Sequence, residues 1–156
     1  MGICVRVEDE RPIPAYATLA TGFWAVFVLF LAASRDRLPE RFGPLDLAGI
    51  TLASFKLSRL ITKEDVTAFV RAPVTEDPEG VRPKPEGMAR VVGELLTCPY
   101  CIGLWITSGL AYSQVIWPRE TRFFNAIFGS YAVTDFLHAG FVRLKEDTRS
   151  REGEAE

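Results

Sequence analysis

The sequence predicts an all-α integral membrane bundle of four transmembrane helices with both termini in the cytoplasm. Three observations carry that fold class. Charge is excluded from stretches long enough to cross a bilayer. The apolar residues, 48% of a 156-residue chain, are gathered into those stretches rather than spread evenly. Lys and Arg fall mostly on one side of the resulting topology.

The first helix is expected at residues 15–33 (AYATLATGFWAVFVLFLAA), inside a segment from Pro12 to Ser34 that has no Asp, Glu, Lys or Arg. At that length a helix crosses a hydrocarbon core of ~30 Å. A cleaved signal peptide is the rival reading, and Ala32-Ala33-Ser34 would be a weak cleavage site. Against it, Glu8, Asp9 and Glu10 stand where a basic start belongs, and the apolar run exceeds the roughly 7–15 residues of a signal core, so the segment is expected to be retained. The second helix, 45–61, is the weakest because Asp46, Lys56 and Arg59 lie within it. The third, 97–117, sits in a charge-free stretch from Leu95 to Pro118 and ends at Trp117, a residue that favours the membrane interface. The fourth, 123–142, carries one charged residue, Asp135.

Between the second and third helices, 62–70 reads as a short helix capped by Thr62 with Asp65 in its first turn. Pro73, Pro78, Gly80, Pro83, Pro85 and Gly87 make 71–87 an exposed loop. Residues 88–96 read as a surface helix leading into the third crossing, and the charged tail 143–156 as disordered. Gly49, Gly103, Gly109 and Gly129 are read as sites of close helix packing. No internal repeat is evident.

Four crossings place 1–14, 62–96 and 143–156 on one side with eleven Lys and Arg, against Arg35, Arg37, Arg41, Arg119 and Arg122 on the other. The richer side is the cytoplasm, and the expected location is a cell membrane, multi-pass. A net charge of −2 without a basic stripe excludes nucleic acid as a partner. Three cysteines, an odd number, do not suggest a disulfide framework.

The chemistry-bearing motif is TCPYCIGLW, residues 97–105. Glutaredoxins share Cys-Pro-Tyr-Cys, but there it joins a strand to a helix, and no alternating strand precedes Cys98 here. Pro99 suits the first turn of a helix, which puts Cys98 at or beside the N-cap, where exposed amides favour a thiolate. Cys101 follows on the same face one turn up.

The chain resembles the small bacterial and phage membrane proteins grouped as domain of unknown function 1360. The likeness rests on a helix ending Arg59-Leu60-Ile61 with Asp65 shortly after, a polar loop, the run Cys98-Pro99-Tyr100-Cys101-Ile102-Gly103-Leu104-Trp105, and a last helix with His138 near its end. It covers roughly residues 46–142. That family brings no established activity.

Helix geometry places Lys56, Arg59, Asp135, His138, Cys98 and Cys101 near one cytoplasmic end of the bundle, with Tyr131 on the stripe of Asp135 and His138. The cysteines then have three readings: small thiols at a helix start, a thiol-exchange site, or a metal site. The last would join Cys98, Cys101 and His138 with Asp135, Cys4 or another chain, and zinc is the metal such ligands would take. Arg59 and Asp65 are expected to form a structural ion pair, Lys56 to snorkel, and Arg59 to matter more than Lys56. Asp135 and His138 suit either an interhelical hydrogen bond or a proton or metal role.

No catalytic triad, phosphate loop or paired-carboxylate motif is present, so no enzyme activity and no resident cofactor are expected. The expected function is a small scaffold, accessory or assembly factor of a bacterial envelope or spore-related membrane. The alternative is a thiol-redox or metal-binding membrane protein. The bilayer is the first partner, and the small size argues for a protein partner or a homo-oligomer.

Overall fold

The computed structural model describes residues 13–77, 82–85 and 87–153, with side chains through residue 149. Cys4 and the acidic N-terminus lie outside the described residues. The chain is all-α among the described residues: α1 Ile13–Ala33, α2 Pro44–Lys63, α3 Ala68–Arg71, α4 Gly87–Thr97, α5 Pro99–Ile116 and α6 Pro118–Gly153. Prolines 44, 99 and 118 open the three helices that pack most closely, where a missing N–H costs nothing.

α2 lies between α5 and α6. Small side chains permit the approach: a Cβ on Gly49 would stand 3.3 Å from Asn125 Cβ, and one on Gly103 would stand 3.5 Å from Ser58 Oγ. Pairings fix the directions. Asp46 with Arg122 and Lys56 with Asp135 make α2 parallel to α6, whereas Asp46 with Gln114 and Ser54 with Thr107 make it antiparallel to α5. α1 runs parallel to α5 through Phe23–Trp105 and Phe30–Tyr112, ring centroids 5.1 and 4.2 Å apart, and Tyr16 hydrogen-bonds Glu94 of α4. The four long helices therefore alternate in direction.

Polarity is distributed in an unusual way. Among the described residues, six apolar residues are buried against ten polar or charged ones, while Trp24, Leu29, Leu45, Phe69, Phe123 and Leu137 are exposed. No residue of α1 is buried.

The expectation of four spans is met only in part. Among the described residues α1 alone is long and apolar enough to cross a membrane, and α4 and α5 qualify only together, bent by 83°. Asp46, Lys56, Arg59 and Lys63 dilute α2, and the charged ends of α6 lower its apolar average.

Other boundaries also move. α6 begins at Pro118, not 123, and continues to Gly153, so residues 143–153 are helical where disorder was expected. Strong helix formers such as Arg, Leu, Lys and Glu let the helix run on. Thr62 caps nothing: it is buried within α2 and its hydroxyl donates to the Ser58 carbonyl. The segment read as an exposed loop is partly buried at Arg71 and Thr75. Glu76 N–H donates to the Arg82 carbonyl at 2.9 Å and Lys84 N–H to Val74 at 3.0 Å, closing a small hairpin upon α4.

That hairpin rests on Gly93, where a Cβ would meet the Val74 carbonyl oxygen at 2.7 Å and Pro83 Cβ at 2.9 Å. Gly109, expected at a close contact, has nothing within 4 Å of its Cβ position. Gly93→Ala is expected to lose about 1–3 kcal/mol by overpacking against backbone, while Gly109→Ala keeps or slightly raises stability. Thermal unfolding of both variants in mild detergent checks the contrast; equal behaviour would mean that the hairpin does not press on α4.

Candidate functional site

Two polar sites flank α2. On the α6 side, Lys56 Nζ donates to Asp135 Oδ2 at 2.6 Å and lies 3.7 Å from the centroid of the Tyr131 ring. Lys56 is 3% exposed, whereas the Asp135 side chain is 38% exposed. A buried ammonium needs such company, because an unpaired charge out of water costs several kcal/mol; the ring face adds cation–π attraction of about 0.5–2 kcal/mol. Above the pair lies an open groove of about 530 Å³ lined by Phe55, Arg59, Glu64, Tyr131, Asp135 and His138 among others. Phe55 and Phe136 stack at its apolar edge, centroids 5.3 Å apart.

On the α5 side, the chain turns sharply between α4 and α5 at Cys98. Its sulfur accepts the Cys101 N–H at 3.4 Å, so Cys98 is the N-cap of α5. Neither thiol is in a disulfide; Cys98 is half-buried and Cys101 exposed. Access and helix-end activation are thus divided between the two sulfurs.

The residues grouped by sequence separate accordingly. Lys56, Arg59, Asp135 and His138 share the groove, and the cysteines do not line it. Among the described residues no three His, Cys, Asp or Glu side chains form a group that could hold a metal ion. The four-ligand set of Cys98, Cys101, His138 and Asp135 is divided by α2, the helix between α5 and α6. Arg59 does not pair with Asp65: among the described residues no ion pair joins them, and its guanidinium lies 5.8 Å from the Phe55 ring centroid. Lys56, not Arg59, is the buried and paired cation.

Sequence reasoning missed two further features. Arg71, 2% exposed, donates to the carbonyls of Ile61 and Glu64 and so satisfies the end of α2. Ser54, Ser58 and Thr62 form an i, i+4 stripe, with the Ser54 and Thr107 hydroxyls 2.6 Å apart across the α2–α5 seam. The spacing of that stripe was visible in the sequence.

This arrangement, a charged pair and a hydroxyl seam inside an apolar-faced helical array, carries no known catalytic constellation. The family described as "Protein of unknown function (DUF1360)" matches residues 50–141, and the chain belongs to it. The chain is similar to sporulation protein YjcA of Bacillus subtilis (strain 168), 27% identical over 88 residues that cover 50% of this chain and 75% of the relative. It is also similar to UPF0713 protein YngL of the same strain, 26% identical over 119 residues that cover 71% of this chain and 92% of the relative. No solved structure matches it. The matched region includes the groove and the cysteines and leaves out α1.

Lys56→Met strands Asp135 without its cation and is expected to cost on the order of 1–3 kcal/mol, below the usual loss for a fully buried pair because Asp135 is partly solvated. Arg59→Met should stay within about 0.5 kcal/mol of wild type. Denaturation of both in detergent decides the matter; a larger loss at Arg59 would restore the order expected from sequence.

Proposed function

We propose that this chain is a multi-pass membrane protein whose four long helices cross the bilayer with both termini in the cytoplasm, and that it acts as a small scaffold or assembly factor for a protein partner or a second copy. The observation that carries the reading is the inverted polarity. A charge-free, mostly apolar α1 with no buried residue and a bundle whose interior is more polar than apolar would expose its hydrophobic surface in water. Lipid removes that difficulty, since helices in a bilayer associate through small residues and polar contacts of the kind found at Gly49, Gly103, Ser54 and Lys56. The alternating directions of α1, α2, α5 and α6 agree with four passes. α4, bent by 83° from α5, fits a helix lying along the membrane surface. One relative's sporulation name favours a spore-related membrane.

Reporter fusions after Lys84 and after Arg149 are expected to give cytoplasmic signals, and the protein should resist alkaline carbonate yet dissolve in detergent. Opposite signals at the two points would remove α5 or α6 as a crossing. Carbonate release would remove the membrane reading altogether.

The second reading, thiol exchange, rests on the two unpaired thiols one helical turn apart. Two such thiols can close a disulfide as a partner's disulfide is reduced. In a Cys4→Ser background, an impermeant maleimide is expected to label Cys98 and Cys101 in inside-out vesicles and neither in intact cells. Resistance of both thiols in vesicles would leave the pair as the start of α5 and nothing more.

A further inference from the structure

The end of the bundle opposite the cysteines holds a second polar site, assigned to nothing so far. Asp46, in the first turn of α2, receives Arg122 Nε at 2.9 Å and Nη2 at 3.2 Å, and Gln114 Nε2 at 3.2 Å. This one carboxylate therefore ties α2, α5 and α6 together. Beside it is a cavity of about 230 Å³ lined by Arg37, Arg41, Phe42, Asp46, Gln114 and Arg122 among others.

Charge and hydrogen bonding in this cavity are both unbalanced. Asp46 matches Arg122, and among the described residues no ion pair engages the exposed guanidinium groups of Arg37 and Arg41; Asp36 and Glu40, the acids of the same connection, do not line it. Gln114 is 6% exposed, and its Oε1 is buried with no hydrogen-bond partner. Its Nε2 already serves Asp46, so the amide orientation is fixed and an acceptor is left unmatched. A buried acceptor without a donor is left desolvated and uncompensated. The complementary ligand is an anion that also carries a hydroxyl.

We propose that this cavity binds a hydroxyl-bearing phosphate ester: the phosphate is held by Arg37 and Arg41, whose forked donors match phosphate oxygens, and the hydroxyl donates to Gln114 Oε1. The inference rests on the membrane reading for its preferred source, the headgroup of an anionic phospholipid such as phosphatidylglycerol. The cavity opens among arginines where the short α1–α2 and α5–α6 connections meet, at headgroup depth if those helices span. Exposed Leu45 and Trp117 offer apolar surface nearby for acyl chains. Arg37, Arg41 and Asp46 all precede residue 50, so the site lies partly outside the region shared with the family.

Native mass spectrometry of the full chain in neutral detergent tests it with four probes: phosphatidylglycerol, phosphatidylcholine, phosphatidylmethanol and glycerol 3-phosphate. Phosphatidylglycerol is expected to be retained about tenfold or more over phosphatidylcholine, and severalfold over phosphatidylmethanol, which has the charge without the hydroxyl. Arg37→Gln with Arg41→Gln should abolish the preference, whereas Arg35→Gln with Arg119→Gln, an equal loss of charge at the same end, should keep it. Competition by glycerol 3-phosphate would mean that the headgroup chemistry suffices; failure to compete would assign the site to lipid. Equal retention of phosphatidylglycerol and phosphatidylcholine, an unchanged double variant, or an equally weakened control pair would overturn the site. Recovery of the protein without detergent would overturn the membrane reading instead, and the glycerol 3-phosphate probe would still test the cavity.

Discussion

Lys56 can be buried in α2 only because Asp135 meets it from α6 at 2.6 Å. The pair therefore selects one rotation of α2 and one height of α6 against it, since an ammonium aimed elsewhere would be desolvated without compensation. The rest of the packing follows that choice. With Lys56 turned to α6, the stripe of Ser54, Ser58 and Thr62 is left for the seam toward α5, and Gly49 is brought against Asn125. Arg71 completes the same helix by supplying donors to carbonyls that the α2 terminus leaves open.

Apolar burial alone does not account for the interior of this molecule. In water, apolar burial drives folding and sets the core. Here the buried apolar cluster reduces to Ile50, Ala53 and Leu110, with Leu57, Ile106 and Phe128 partly covered against it. Contacts of that size do not hold four long helices by apolar burial. Hydroxyl pairs, one ammonium–carboxylate contact and close backbone approach take over, interactions whose strength depends on keeping water out. α1 is the limiting case: none of its residues is buried, and its half-buried side chains include Phe23 and Phe30, in ring contact with α5, and Tyr16, hydrogen-bonded to Glu94.

How much of this was legible depended on whether the signal was local. The existence of the four long helices was legible, because apolar stretches are written consecutively in the chain, although the start of α6 at Pro118 was missed. So was the Cys98 N-cap, which needs only Pro99 after it. Partners were not. The i, i+6 spacing of Arg59 and Asp65 suggested a pair, but an acid just beyond the helix end follows the turn of Glu64 to Thr67, and Arg59 points to Phe55 instead. The grouping of cysteines with His138 failed for a related reason. Depth along a helix can be counted from sequence, but the side of α2 on which each neighbour packs cannot, and the cysteines and the histidine came to opposite sides. The helical tail was misread because charged composition argues for solvation as well as for disorder, and Leu144, Lys145 and Glu146 are also good helix formers.

The two ends of α2 are bound by a single register. Asp46 meets Arg122, Gly49 meets Asn125, and Lys56 meets Asp135, contacts that climb both helices together. A slide of one turn, about 5.4 Å, would part Asp46 from Arg122 and Lys56 from Asp135 at the same moment, leaving charges unpaired at both ends. The height of α6 against α2 is therefore set from both ends of the seam.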